Sequence, residues 1–162
     1  MGVGIVSDTH DNADAVQEAI RILRQRGVED VIHCGDVTSA STLDLFSGFR
    51  IRVCLGNNDS ARELAAAAER IGGTYAERLD VSIAGKRFFV AHGDRGGPLD
   101  KAVNSGDFDY VLYGHLHRRD DRRFGRTRLI NPGALYRAAE YTFALLDPAT
   151  DLLESIEVRK RL

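Results

Sequence analysis

The sequence predicts an α/β fold in which two β-sheets pack together and helices cover them on the outside. In the N-terminal half, short apolar runs alternate with amphipathic segments, and each apolar run stops at a polar cluster. After Gly72-Gly73 the pattern changes to strand pairs joined by short turns. Strand-helix alternation is typical of a parallel sheet with right-handed crossovers, and the later pattern is typical of hairpins. One sheet is therefore expected from each half of the chain.

The N-terminal half contains three predicted strands and three predicted helices. In residues 12–26 apolar side chains recur at helical spacing, Asp11 or Asn12 can cap the start, and Gly27 follows the end. Asp59 or Ser60 can cap the third helix. The strands cover residues 3–7, 31–34 and 51–55, and the other helices cover residues 41–46 and 60–71.

The C-terminal half is predicted to be rich in strands. A short helix is expected at residues 99–105, and Asn131-Pro132-Gly133 is expected to form a turn. The predicted strands cover residues 79–83, 87–91, 110–113, 141–146 and 153–158, with a further hairpin around residues 123–128.

Composition limits the classes of function. With 162 residues and 43% hydrophobic content, the chain suits a single domain spanning residues 1–162. A formal charge of -2 leaves no broad basic surface, so strong nucleic-acid binding is not expected. Cys34 and Cys54 lie in apolar runs and are expected to be reduced. No leader or membrane-spanning run is recognisable, so a cytoplasmic location without membrane association is expected.

Polar side chains at predicted strand ends form the candidate site. The carboxyl ends of strands in an open α/β sheet share one neighbourhood, and i, i+2 histidines in an extended segment project to the same side. Any one of these residues could instead be a turn or capping residue. His33 precedes the end of its strand and is expected to be a hydrogen-bonded structural histidine. The candidates are Asp8, His10, Asp36, Asn57, His92, His115 and His117.

Seven oxygen and nitrogen donors exceed what one metal ion commonly needs. They suit two divalent ions that share a carboxylate. Two such ions with Asp8 and Asp36 keep a net positive charge, which a hydroxide and a phosphodiester monoanion would balance. The hypothesis is that a bridging water, acidified by both ions, attacks a phosphate ester in line with its leaving group.

The ordered motifs closely resemble the calcineurin-like metallophosphoesterase superfamily. The short chain and the Asn131-Pro132-Gly133 segment are similar to its small prokaryotic phosphodiesterase branch, which also includes the retromer subunit vacuolar protein sorting 29. The resemblance spans nearly the whole chain. The motifs are Asp8-x-His10, Gly35-Asp36, Gly56-Asn57-x-Asp59, His92-Gly93 and Gly114-His115-x-His117.

This resemblance implies a four-layer αββα sandwich of two mixed sheets with a dinuclear metal site. Asp36 would bridge the two ions and, with Asn57 and His92, take part in catalysis. Manganese is the first expectation for the metal, and nickel, iron and zinc also suit the nitrogen and oxygen ligands. The first ion would be held by Asp8, His10 and His117, and the second by Asn57, His92 and His115.

Three departures from the family pattern bear on the chemistry. Asn58 replaces a histidine that many members carry, and an amide cannot act as a general acid, so water or another residue would protonate the leaving group. Asp94 replaces a second histidine; it either orients His92 or His10 or is a turn residue. Ala134 stands where serine is usual, which removes one hydroxyl near the pocket.

Asn58, Arg95 and Arg118 are the candidate substrate-binding residues. Arg95, Arg118 and Arg119 follow ligand histidines closely and could bind a phosphate oxygen, or they could belong to a solvated charged surface. The resemblance implies a metal-dependent phosphoesterase for a small phosphate ester, and it favours a diester over a monoester.

Two other functions remain open at the sequence level. The alternative is a protein-interaction module like vacuolar protein sorting 29, but every ligand position here holds a competent donor. A nuclease ranks third, because the basic groove and capping domain of larger relatives are missing. Assembly into a homo-oligomer is left open.

Overall fold

The protein is described by a computed structural model that covers residues 2–159. Its elements, in chain order, are β1 (Val3–Val6), α1 (Ala13–Gln25), β2 (Asp30–His33), α2 (Ala40–Asp44), β3 (Arg50–Cys54), α3 (Ala61–Arg70), β4 (Thr74–Ala76), β5 (Leu79–Ile83), β6 (Lys86–Val90), α4 (Gly96–Ser105), β7 (Tyr110–Leu112), β8 (Arg119–Phe124), β9 (Thr127–Pro132), β10 (Tyr141–Asp147) and β11 (Leu152–Val158). No helix within this range has the length and apolar character needed to span a membrane.

The strands form two mixed sheets that pack face to face. The first sheet has the order β11-β10-β1-β2-β3-β4, and the second has the order β5-β6-β7-β9-β8. Ile5, Phe88 and Ile130 belong to the apolar core between the sheets and are fully buried. Separate cores lie between the first sheet and helices α1 to α3, and between the second sheet and α4. The predicted four-layer sandwich is confirmed.

Helix α1 shows how the sequence sets the layer spacing. Its start is capped by Asn12, whose side-chain oxygen accepts a hydrogen bond from the Ala15 amide, as one of the two capping alternatives predicted. The buried stripe ends at Leu23, which packs directly over β1. A Cβ atom at Gly4 would lie 2.6 Å from Leu23 Cδ2, so glycine at this position allows the helix to lie close to the sheet.

The prediction that each half of the chain forms one sheet is wrong. The C-terminal hairpin of β10 and β11 joins the first sheet, where β10 pairs antiparallel with β1. Strand β4, which the sequence patterns did not indicate, extends the same sheet by pairing parallel with β3. The pairing of β1 with β10 has no local signature, because these two strands lie near opposite ends of the described residues.

Asn131 and Pro132 lie at the end of β9, so the predicted turn begins only at Gly133. The parallel ladder between β7 and β9 stops at Ile130, so Pro132 needs no amide hydrogen on that side. The Pro132 carbonyl accepts a hydrogen bond of 2.8 Å from Thr142 Oγ1. Gly133, with a φ of 88°, then turns the chain.

Both cysteines are buried and reduced, as predicted. Burial raises the pKa of the Cys34 thiol far above its usual range, and burial with nearby Asp59 and Asp94 raises that of Cys54 to about 12. These thiols therefore act as small apolar side chains in the core between the sheets.

Candidate metal centre

All seven predicted donors come together where strands of the two sheets end. Five loops bring them there, following β1, β2, β3, β6 and β7. Three of the donors lie deep in the protein: Asp8, Asp36 and His92 are at most 2% exposed. The rule that ligands gather beyond strand carboxyl ends therefore predicted this neighbourhood correctly.

One group of donors is formed by Asp8, His10 and His117. The distance from Asp8 Oδ1 to His117 Nε2 is 3.2 Å, and that from Asp8 Oδ1 to His10 Nε2 is 3.9 Å. One potential ligand atom from each of the three residues lies within 4.8 Å of the others. This spacing suits a single metal ion, and its members match the ligands predicted for the first ion.

A second group is formed by Asp8, Asp36 and His92. Asp36 Oδ2 lies 3.4 Å from His92 Nε2 and 3.2 Å from His10 Nε2, so this carboxylate lies between the two groups. His115 Nδ1 lies 3.2 Å from Asn57 Oδ1. The ring of His115 meets that of His92 edge to face, with centroids 5.2 Å apart. Asp36, His92, His115 and Asn57 thus form a continuous chain of neighbouring side chains.

Three buried polar atoms at this centre have no hydrogen-bond partner within residues 2–159: Asp8 Oδ1, His10 Nε2 and His92 Nε2. In Asp8 and His92, the other polar atom of the side chain is held in place by hydrogen bonds. Asp8 Oδ2 accepts hydrogen bonds from Ser7 Oγ at 2.5 Å and from the His115 amide at 3.0 Å. His92 Nδ1 lies 2.8 Å from the Cys34 carbonyl oxygen. Because unpaired buried polar atoms are costly, these residues fit divalent cations held between them.

The electrostatic potential at the centre favours cations. Burial acts to raise the pKa of Asp36, but His92 and the Asn58 amides lower it below the ordinary range. Burial acts to lower the pKa of His92, yet Asp36, the Cys34 carbonyl and Asp8 together raise it to about 9. A site that holds a carboxylate ionised and attracts a proton to imidazole also attracts a metal ion.

The backbone of the centre is strained. Five of the seven predicted donors have left-handed conformations, with φ values of 50° at Asp8, 40° at His10, 59° at Asp36, 68° at His115 and 51° at His117. Such conformations cost about 1–3 kcal/mol each and persist where the surrounding structure imposes them. Their concentration in these loops points to a functional site.

His33 is a structural histidine, as predicted. Its Nδ1 accepts a hydrogen bond from the Gly35 amide at 3.1 Å, so its Nε2 carries the hydrogen and donates to Thr9 Oγ1 at 3.1 Å. Burial, with His92 close by, lowers the pKa of His33 to about 3, which keeps the ring neutral. The ring thereby supports the loop that carries Asp36.

Asn58 makes contacts that the sequence did not suggest. Its backbone amide donates to Asp36 Oδ1, and its side-chain amide donates to Asp36 Oδ2, both at 2.9 Å. The side-chain amide predicted to bind substrate is thus directed at the proposed bridging carboxylate. Asn58 holds Asp36 in position.

Asp59 connects the loop that carries Asp36 to the loop that carries Asn57, a role that its place in the motif did not reveal. Its Oδ2 accepts hydrogen bonds from the Asp36 amide at 3.0 Å and the Gly56 amide at 2.8 Å. Its Oδ1 accepts one from the Thr38 amide at 2.8 Å. The only sequence signal is an acidic residue two positions after a ligand asparagine.

Asp59→Asn should loosen these loops. Asparagine offers one acceptor oxygen, so at least one of the three backbone amides loses its partner at a cost of about 1–3 kcal/mol. We expect the melting temperature to fall by roughly 2–12 °C and metal affinity to fall with it. Differential scanning fluorimetry with and without Mn²⁺ measures both. An unchanged melting temperature would show that these hydrogen bonds do not hold the loops together.

Tyr136 is a second residue that sequence reasoning missed. Its ring packs on His10 with centroids 4.9 Å apart. The loop carrying it is fixed to the β1 loop, because the Leu135 amide donates to the Asp8 carbonyl at 3.2 Å. Asn12 Nδ2 also donates to the Leu135 carbonyl at 2.7 Å. Tyr136 lies in the loop between β9 and β10 and not at the end of a predicted strand, so the strand-end pattern did not identify it.

The role of orienting His92 or His10 that was weighed for Asp94 is not supported: His92 Nδ1 contacts the Cys34 carbonyl, and within residues 2–159 the Asp94 side chain bonds to neither ring. Asp94 is exposed and lines a cavity of about 470 Å³ together with Asn57, His92 and Arg95. We call this space the His92 cavity. Arg118 lies by a different cavity, of about 270 Å³, beside His117. The two candidate arginines thus lie by different cavities, one next to His92 and the other next to His117.

Comparisons with known proteins agree with this geometry. Residues 1–151 match the family model of the calcineurin-like phosphoesterase superfamily domain. Phosphodiesterase MJ0936 of Methanocaldococcus jannaschii is 34% identical over 154 residues, which cover 91% of this chain and 93% of the relative. The predicted phosphoesterase class is thereby confirmed.

Solved structures give the same result. An archaeal phosphodiesterase superposes with a TM-score of 0.92 at 33% identity, covering 98% of this chain and 100% of that one. Vacuolar protein sorting 29 of Entamoeba histolytica, solved in complex with Zn²⁺, superposes with a TM-score of 0.72 at 19% identity, covering 97% of this chain and 99% of that one. The second likeness concerns the fold alone. The chain belongs to the calcineurin-like phosphoesterase superfamily.

Proposed function

We propose that the protein is a phosphodiesterase that depends on two divalent metal ions. The observation that carries this proposal is the convergence of two acid-histidine groups that share Asp8, with unpartnered buried atoms on Asp8, His10 and His92. A curated relative of similar length is itself a phosphodiesterase, which supports diester over monoester substrates. Manganese remains our first expectation for the metal, and the mixed nitrogen and oxygen donors suit nickel, iron and zinc as well.

The proposed ligands follow the two groups. Asp8, His10 and His117 would hold one ion, and Asp36 lies where it can contact both ions. The remaining donors, Asn57, His92 and His115, would complete the second. Such ions, when bound, acidify a water and neutralise phosphoryl oxygens.

The protein's own residues supply position and charge. Asn58 holds both oxygens of Asp36, so the carboxylate keeps its orientation and its negative charge. The Cys34 carbonyl fixes the ring of His92, and the His115 amide fixes Asp8. The Asn58 amide is too weak an acid to protonate a leaving group, so turnover should depend strongly on leaving-group acidity.

The alternative is a protein-interaction module that has the same fold as vacuolar protein sorting 29. The buried unpartnered atoms argue against it, because a surface used only for docking does not need costly polar atoms in its interior. A cytoplasmic location, a single domain and any homo-oligomer remain predictions.

A metal-by-substrate matrix tests the proposal. Protein treated with chelator is reconstituted with Mn²⁺, Ni²⁺, Fe²⁺ or Zn²⁺ and assayed with aryl phosphodiesters, aryl phosphomonoesters, cyclic nucleotides and nucleic acid. We expect two bound ions per chain. With at least one of the four metals, turnover should be highest on the aryl phosphodiesters. Folded, metal-loaded protein that is inert on every substrate would favour the module.

Asn58→His separates positioning from proton donation. Histidine can donate a proton to the leaving group, so diesters with poor leaving groups should gain relative to p-nitrophenyl esters. Loss of the side-chain hydrogen bond to Asp36 should weaken metal binding without abolishing it. Asn58→Ala, which loses the same bond and adds no acid, is the matched control. Loss of both metals in the histidine variant would contradict this assignment.

A further inference from the structure

The His92 cavity can hold more than the phosphate group. Its volume of about 470 Å³ is within the range of pockets that bind small organic molecules. Asn57 and His92, both proposed ligands of the second ion, contribute to its lining. A phosphodiester bound at the metal centre would therefore have room for one of its two alcohol portions in this space.

Most charged groups in the cavity wall already have partners. Glu77 Oε1 and Arg78 Nη2 pair at 3.2 Å, and Asp59 accepts its three backbone amides. Asp94 and Arg95 are exposed, and within residues 2–159 neither side chain has a hydrogen-bond or ion-pair partner. They are the two wall residues whose charged groups are available to a ligand.

The available groups fit an uncharged, hydroxyl-bearing ligand. The Asp94 carboxylate accepts hydrogen bonds, as acidic residues do from the hydroxyls of ribose, and the Arg95 guanidinium donates them. Leu55, Ala91 and Pro98 add apolar surface to the same wall. A second phosphate fits poorly, because three carboxylates and only two arginines line the cavity.

We propose that the His92 cavity binds a sugar or nucleoside portion of the phosphodiester, with Asp94 accepting from its hydroxyl groups and Arg95 donating to its oxygens. This inference rests on the proposed function, because it assumes a diester at the metal centre. It assigns the cavity to the alcohol that the phosphate carries, and it makes Asp94 and Arg95 determinants of specificity.

Two chromogenic esters test the inference on full-length protein loaded with Mn²⁺. Uridine 5′-(p-nitrophenyl phosphate) and methyl p-nitrophenyl phosphate share the leaving group and the charge, and they differ only in the retained alcohol. We expect kcat/KM to favour the uridine ester by at least about tenfold, the scale of one good hydrogen bond to a charged group. Asp94→Asn and Arg95→Ala should each remove most of this preference, while metal content stays at the wild-type level.

The controls are Asp100→Asn, on the exposed side of α4, and Arg62→Ala, near the start of α3; both residues are exposed and neither lines the cavity. Both should keep the preference. Equal kcat/KM for the two esters in the wild type would overturn the cavity assignment alone. An equal fall of both esters in the Asp94 and Arg95 variants would also overturn it. Inertness of the wild type toward both esters would instead refute the proposed function.

Discussion

Asp36→Asn should remove most of the bound metal and lower diester turnover by about 10²- to 10³-fold. The carboxylate lies between the two donor groups, 3.2 Å from His10 Nε2 and 3.4 Å from His92 Nε2. Removing its charge removes the attraction that both ions would share, and a metal site supplies several kcal/mol of transition-state stabilisation.

The substitution also disturbs the contacts that hold residue 36. Asn58 donates to both oxygens of Asp36, one from its backbone and one from its side chain. An asparagine at position 36 has an amide nitrogen in place of one oxygen, so one donor of Asn58 would face another donor. The side chain should therefore rotate, which adds misplacement to the loss of charge.

Metal content by elemental analysis and turnover on an aryl diester should fall together in this variant. Asp100→Asn, which neutralises an exposed carboxylate on α4, is the matched control and should change neither. Circular dichroism would confirm that both variants are folded. Full turnover with two ions in the Asp36 variant would exclude Asp36 from the metal centre.

Gly56→Ala should damage the metal centre through the backbone. A Cβ atom at Gly56 would lie 2.1 Å from the Asp36 amide nitrogen and 2.2 Å from Asp36 Oδ1. The backbone at Gly56 is outside the left-handed region, so close approach, and not conformation, is what requires glycine. Relief of this overlap must move the Asp36 loop, which Asp59 holds to the Gly56 loop.

Overpacking of this kind costs about 1–3 kcal/mol, or roughly 2–12 °C in melting temperature for a domain of this size. We expect loss of metal binding as well, because Asp36 moves. Gly97→Ala is the control: the added Cβ meets nothing within 4 Å on α4, and the substitution should stabilise the helix slightly. Thermal melts with titrated Mn²⁺ measure both effects. Wild-type melting and metal affinity in Gly56→Ala would show that the loops can separate freely.

Local sequence patterns predicted the helices and most strands because each pattern reflects one buried face. The stripe of α1 is buried at every predicted position, from Ala15 to Leu23. The neighbourhood of the site was predictable for a related reason: parallel strands end on the same side, so residues that follow them converge. Seven residues far apart in the chain were thus assigned to one place.

The pairing of distant strands was not predictable. Strand β4 has three residues, too few to show alternation, and none of them is fully buried. The return of β10 to β1 depends on how the whole chain packs. The sequence pattern of residues 141–146 predicts a strand but does not specify which sheet it joins, and in the structure this strand pairs with β1.

The supporting residues of the site escaped prediction because their roles depend on atomic contacts. The sequence predicts that Asn58 contacts substrate, whereas its side-chain amide donates to Asp36 Oδ2. Tyr136 packs on His10 from a loop with no periodic pattern. The Cys34 carbonyl, a backbone atom with no sequence signal, holds the ring of His92. Sequence patterns identified the donors, whereas the atoms that orient them required coordinates.

The position of β1 between β10 and β2 has a consequence for biosynthesis. Residues 141–147 must leave the ribosome before β1 can acquire its antiparallel neighbour. Because Asp8 lies just after β1, a nascent chain would hold this proposed metal donor in an unfinished sheet until β10 has emerged. We therefore expect ribosome-bound fragments that lack the β10-β11 hairpin not to retain metal.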